Sequence, residues 1–312
     1  MILLLLALAQ DVDALARELR AMGAAAVVEP DGRLSSVSLY MKVDAHAKDY
    51  ALNTKVGDTW VAKLAGLPDL RSLDLENTDL RGPGLRAIGT LKALERLNLT
   101  LCPVDDAEFE ALAGLTRVGS LGLASTKVRG HGLRHLSAWT ALKNLNCHNA
   151  PIDDPGLAAI GRLGSLTRLE IVHTRFTDAG APALAGLVNL ERLQLGSRLA
   201  SGASLAVLAS LPRLRELDVH DGMLSVEGFR HVASIKTLKV LRAYGGQGAD
   251  GLKALAGHPE LETLLLEGTG ITDLSVVASL PKLRTLTLKE PKVKKEDVDA
   301  LRSRKTDLRI VP

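Results

Sequence analysis

The sequence predicts an α/β solenoid in which short strand-plus-helix units stack so that their strands form a parallel sheet. Two observations predict it. An apolar frame recurs along most of the 312 residues at a period of about 24, and the core material is almost free of aromatics, with 46% hydrophobic but only 3% aromatic residues. A core of Leu, Ala, Val and Ile suits thin layers that must each accept the same side-chain volume. One such unit cannot bury its apolar face alone, so its stability comes from its neighbours.

The frame begins at Leu67, Leu91, Leu115, Trp139, Leu163, Leu187, Leu211, Ile235, His258 and Leu280. Each segment reads L-x-x-L-x-x-L-x-L, followed by a polar turn, a lone apolar residue, often Asp-x-Gly, and an apolar pair three apart. Within it, Leu169 and Ile171 alternate with period two, the mark of a half-buried strand. Leu73/Leu75 and Leu217/Val219 are their equivalents. Val128, Ile152, Phe176 and Ile271 are expected to fill the bend behind the strand. Asp106, Asp154, Asp178 and Asp273 fall where a helix N-cap belongs, and Pro83 and Pro155 follow at first-turn positions. Leu157/Ile160 and Phe229/Val232 bury one face of a short helix. Gly84, Gly132, Gly156, Gly180 and Gly228 precede that face, where helix and strand backbones are expected to approach closely.

Residues 67–304 thus hold ten repeats. Residues 10–66 contain a helix from Asp11 to Met22, a hairpin built of Ala26-Val27-Val28, the turn Glu29-Pro30-Asp31-Gly32 and Leu34 to Leu39, and a first irregular repeat with an insertion at 41–53. Val56, Asp58, Val61 and Leu64 restore the frame. Residues 305–312 read as a cap, a last half-repeat at Leu308-Arg-Ile310 blunted by Pro312. No linker or low-complexity stretch interrupts the chain, so one domain is expected. Residues 1–9 are too short an apolar run to span a bilayer, which needs about 20 residues. Ala7-Leu8-Ala9 before Gln10 matches an A-x-A cleavage site and points to export to the periplasm or the exterior. The run lacks a basic n-region, and a cytoplasmic location is the alternative.

Thr174-Arg-Phe-Thr-Asp-Ala-Gly180 and Thr269-Gly-Ile-Thr-Asp273 resemble the leucine-rich-repeat family, in its 24-residue T-x-[VI]-T-D-x-G-L subtype familiar in bacterial and F-box-type proteins. The resemblance covers about residues 34–312. It implies a right-handed curved solenoid with a parallel sheet on the concave face, short helices on the convex face, and protein binding on the concave face. No F-box-like helical region precedes the repeats. The Ala, Gly, Leu and Arg-rich composition suggests a GC-rich bacterial source.

Chemistry is sparse. A net charge of +3 with both signs interspersed gives little reason to expect nucleic-acid binding. The tail Lys289, Lys292, Lys294, Lys295, Arg302 and Arg304 reads as a solvated cap. Cys102 and Cys147 have no zinc spacing, and stacking separates them too far for a disulfide, so both are expected to be reduced. Gly246-Gln-Gly248-Ala-Asp-Gly251 fits G-x-G-x-x-G, yet Gly251 falls on the glycine that other repeats already carry. His148, His173 and His220 read as solvated, with His148 and His220 three layers apart and too distant to share an ion. Asp44 and His46 alone do not make a metal site. The sequence therefore predicts a non-catalytic interaction module without cofactor or metal, monomeric, with a protein partner of unspecified identity; the alternative is a ligand-binding or enzymatic role for the 41–53 insertion or the turn 245–251.

Three outward columns run along the strands. From the fifth repeat to the ninth they become large and mixed, presenting Arg168, Arg192, Asp218, His220, Arg242, Tyr244 and Leu265 as candidate partner-binding residues, whereas Ser120, Gly122 and Ala124 offer little to grip. Tyr and Arg bring large contact area and directional hydrogen bonds. The plain alternative is a solvated face with Asp218 and Arg242 paired across adjacent strands.

Overall fold

The computed structural model describes residues 12–39, 52–246, 250–290 and 292–311. The 1–9 run, all but the end of the 41–53 insertion, and Gln247 to Ala249 of the turn 245–251 lie outside them. The chain divides into two compact units, residues 1–146 and 147–312.

In the first unit a helix, Val12–Ala21, buries Leu15, Ala16 and Leu19. It closes on Gly23, whose φ of +81° lets the Ala24 amide reach back to the Leu19 carbonyl at 3.0 Å. Strand Ala25–Val28 then pairs antiparallel with Leu34–Ser38 across a turn that needs Gly32 at φ +83°. Leu34–Ser38 starts a parallel series continued by Ser72–Asp74, Arg96–Asn98, Ser120–Gly122 and Asn144–Asn146. Most of these strands are three residues long, one inward leucine between two outward residues. A separate pair, Asn53–Gly57 with Thr78–Asp79, stands beside them.

In the second unit seven strands run parallel in sequence order: Arg168–Thr174, Arg192–Ser197, Glu216–Val219, Val240–Tyr244, Thr263–Glu267, Thr285–Lys289 and Arg309–Val311. Leu193 faces Leu169 on one side and Leu217 on the other, so the frame leucines stack without slip. All ten frame-opening residues, Trp139 and His258 included, are buried. Most connecting segments are 3-10 turns, such as His131–Leu136 and Ala181–Gly186, rather than α-helices. A 3-10 turn covers more length per residue, which suits a connection of five or six residues.

The turn after each strand has a repeated device. Asn77, Leu101, Ser125, Asn149, His173 and Asp221 each adopt a left-handed backbone with φ between +53° and +61°. A buried hydroxyl follows in three of them: Thr78, Thr126 and Thr174 donate to the carbonyl oxygens of Leu75, Leu123 and Ile171 at 2.7, 2.8 and 3.4 Å. Each adds a side-chain bond to a carbonyl oxygen buried in the turn. Cys102 takes the same position, with its Sγ 3.0 Å from the Leu75 carbonyl oxygen.

Two expectations are corrected. Asp106, Asp154 and Asp178 do not cap their own helices but clamp the next layer, whereas Asp273 does accept locally, from the Ser275 amide at 2.8 Å. Asp106 accepts from the backbone amides of Arg129, Gly130 and Gly132 at 2.7, 3.1 and 2.8 Å. Asp154 accepts from the Thr177 amide and hydroxyl at 2.6 and 2.7 Å, and Asp58 from the Arg81 and Gly84 amides at 2.9 and 2.8 Å. The cap of helix Asp154–Ile160 is Asp153, which accepts from the Gly156 amide at 3.0 Å. The frame glycines likewise face the preceding layer's turn or helical segment, not a strand. A Cβ on Gly132 would lie 2.8 Å from the Asp106 carbonyl oxygen, and one on Gly180 would lie 2.3 Å from Asp154 Oδ1. A period of 24 residues places a cap and a clamp at almost the same sequence position, so spacing alone cannot separate them.

Candidate functional site

The outward columns of the second unit are those the sequence implies. Arg168, Arg192, Glu216 and Val240 are consecutive register partners. Glu170, Gln194, Asp218, Arg242 and Leu265 form the next column, and Tyr244 pairs with Glu267 in the third. Stacked layers carry side chains of one column at neighbouring-strand distance, about 4.8 Å, so charge pairs form along the columns. Arg192 Nε lies 2.9 Å from Glu216 Oε1. Arg242 Nη1 lies 2.9 Å from Asp218 Oδ1 and 3.9 Å from Glu216 Oε2.

The Asp218–Arg242 pair is more than surface decoration. Asp218 is buried, with 10% of its side chain exposed. Burial alone disfavours the charged guanidinium, but hydrogen bonding to Asp218 and the fields of Asp218 and Glu216 outweigh it and raise the Arg242 pKa. Removing Arg242 would leave a carboxylate without its partner in a desolvated place, which is strongly unfavourable. Arg168, by contrast, is exposed and forms no ion pair among the described residues. Together these groups rim a depression of about 200 Å³ in the strand face.

The histidines are not simply solvated, as the sequence reading has them. His148 and His173 meet edge-on with ring centroids 5.2 Å apart, and His173 meets His220 edge-on at 6.3 Å. His220 stacks on Tyr244 at 4.3 Å with an 11° interplanar angle. Such contacts contribute about 0.5–1.5 kcal/mol beyond area burial. His173 Nδ1 lies 2.8 Å from Asp221 Oδ1, and the His173 amide donates to Asp221 Oδ2 at 3.2 Å. Gly196 makes the room: a Cβ there would sit 2.8 Å from both His220 Cβ and Asp221 Oδ2. Sequence reasoning missed this row because it measured His148 against His220 and left out the left-handed turn that brings His173 between them. The lone glycine in the third column was the signal available.

Burial lowers the His220 pKa, against the opposing pull of Asp218. It also raises that of Tyr244. No group of three or more His, Cys, Asp or Glu among the described residues is placed to hold a metal ion. Cys102 and Cys147 are buried and form no disulfide, and burial pushes the Cys102 thiol up to about 11. In the Gly-rich turn, Gly251 packs on Phe229, where a Cβ would lie 2.5 Å from Cδ2, and Gly246 has φ +112°. Both glycines thus have backbone reasons. No described helix is long and apolar enough to cross a membrane.

Residues 66–89 match the sequence profile of the Leucine Rich repeat family. The architecture matches an internalin of Listeria monocytogenes with a TM-score of 0.55 and 20% identity, over 80% of this chain and 76% of that one. The fold is a leucine-rich repeat. Other leucine-rich-repeat neighbours are internalin C2 of the same organism (TM-score 0.49, 26% identity, 66% of this chain and 83% of that one) and a leucine-rich-repeat protein of Leptospira interrogans (0.46, 15%, 81% and 87%). No curated protein matches the sequence. In this repeat protein, then, the ordered face to consider is that of its stacked strands.

Proposed function

We propose that this leucine-rich-repeat protein is a non-catalytic scaffold that binds a protein partner on the strand face of its second unit. The observation that carries the reading is the Tyr244–His220 stack, 4.3 Å between centroids, set beside Arg242 and Leu265. It offers a rigid, half-exposed aromatic anchor on regular structure, the kind of feature that dominates interface energetics. The acidic groups nearby, Glu216 and Asp218, are engaged by Arg192 and Arg242 rather than poised for proton transfer. Arg168, Arg192, Asp218, His220, Arg242, Tyr244 and Leu265 make up the proposed surface. The bacterial T-x-[VI]-T-D-x-G-L subtype, a monomeric state and export with a mature start near Gln10 belong to the same reading. The turn motifs support the subtype, and Ala7-Leu8-Ala9 supports export.

The test is affinity capture from the source organism with three baits: wild type, Tyr244→Ala, and Arg134→Ala. Arg134 lies on the helical side and is exposed. Loss of about 2 kcal/mol or more of binding for Tyr244→Ala, with Arg134→Ala unchanged, supports the reading. A silent Tyr244 change, or an equal loss for Arg134, refutes it. Arg242→Ala is the poorer probe, because it also strands Asp218.

A further inference from the structure

One turn of the second unit breaks the repeat's rule. Ser197 pairs with Thr174 across the strands, which sets Arg198 in line with Arg175, but Ser201 already stands in line with Thr177, so the turn holds one extra residue, Leu199, and Ala200 takes the Phe176 position. Ser197 is buried, and its hydroxyl donates to the Phe176 carbonyl oxygen at 2.6 Å, as a frame threonine would secure its own turn. Leu199, the extra residue of this turn, is 61% exposed.

Leu199 stands at an open groove of about 790 Å³, lined also by Pro151, His173, Arg175 and Arg198. Pro151, Arg175 and Arg198 occupy the same turn position in successive layers. Both arginines are exposed, and neither forms an ion pair among the described residues. No carboxylate lines the groove, and the nearby Asp221 is turned to His173, 2.8 Å away. Two unneutralised guanidinium groups therefore sit beside two apolar surfaces, Leu199 and Pro151. Guanidinium matches the planar carboxylate geometry with paired hydrogen bonds, which a point cation cannot do.

From this we infer that the groove binds an acidic peptide segment, with one or two carboxylates held by Arg175 and Arg198 and an aliphatic side chain seated on Leu199 and Pro151. The site lies at the strand ends; His173 at its edge touches His220 and through it the Tyr244 stack, but the groups that hold the peptide are Arg175, Arg198, Leu199 and Pro151, not Tyr244. The occupant is peptide rather than a small anion because the apolar half of the groove is as large a feature as the charged half. Specificity comes from the pairing: an acidic side chain next to an aliphatic one.

The experiment uses the full-length protein, 15N-labelled, titrated with acetyl-Gly-Leu-Glu-Glu-Leu-Gly-amide to a few millimolar. Its analogue with Gln for both Glu is the charge control. The amides around Arg175, Arg198 and Leu199 should shift with the acidic peptide and stay unmoved with the Gln peptide. Arg175→Glu with Arg198→Glu should abolish the shifts, Leu199→Ser should weaken binding several-fold, and Tyr244→Ala should leave it unchanged. Circular dichroism confirms that each variant folds, and all of these changes are on exposed side chains except the half-exposed Tyr244. Four outcomes would overturn the inference: no shifts at these amides, equal binding of the Gln peptide, binding retained by the double charge reversal, or equal response to inorganic phosphate or a single-stranded oligonucleotide. A strand-face partner lost by Tyr244→Ala while the peptide still binds would leave both readings standing.

Discussion

Asp105 and Asp106 are neighbours of the same chemical type, and the structure gives them different work. Asp105 accepts one local bond, from the Ala107 amide at 2.9 Å, and is exposed. Asp106 holds three amides of the following layer, those of Arg129, Gly130 and Gly132. A hydrogen bond to a charged group contributes about 1.5–3 kcal/mol net, and an orphaned buried donor costs about 1–3. Arg129 is exposed and can be rehydrated, while Gly130 and Gly132 are buried. Asp106→Ala should therefore cost about 2–4 kcal/mol and Asp105→Ala about 0.5. With a urea slope of about 2 kcal/mol/M, the Asp106 variant's midpoint falls by about 1–2 M. Hydrogen exchange locates the damage: protection should drop at Gly130 and Gly132 rather than in the segment Phe109–Leu112. A cost below about 0.5 kcal/mol for Asp106→Ala, an equal cost for Asp105→Ala, or loss of protection confined to Phe109–Leu112 would refute the clamp.

Other outcomes follow from the same geometry. Leu193→Ala, at a core position 1% exposed, should cost about 2–5 kcal/mol, while Gln194→Ala on the opposite face should cost less than about 0.5; equal effects in urea unfolding would mean the strand phase is wrong. Both thiols should count as free under denaturing, non-reducing conditions, and Cys102, pushed up to about 11 by burial, should be unreactive in the native protein at neutral pH. Burial holds His220 and His258 below their ordinary pKa of 6.5, so the unfolded chain binds protons that the folded one refuses. Stability should be unaffected by these groups above that pH and decline as pH falls below it; replacing His258 with Leu should flatten the decline, and an unchanged slope would remove His258 from the account.

The sequence by itself determined the layer. Its period, the alternation of Leu169 with Ile171, and the in-line frame from Leu67 to Leu280 are read directly from the order of residues, because each layer must bury the same volume against the next. The outward columns were legible too, since register is fixed once one face must be apolar. Tertiary structure decided what the layers exchange. Whether Asp106 caps its own turn or clamps the following one depends on which amides stacking brings within 3 Å, and both sit at the same sequence spacing. Likewise, the His148–His173–His220 row depends on a left-handed residue at His173 and an absent side chain at Gly196, and the exposure of Leu199 depends on Ser197 pairing with Thr174. Periodic burial is a property of one strand's neighbours in sequence. Cross-layer contacts are distances in space, and a shift of one residue in a turn redirects them without disturbing the period.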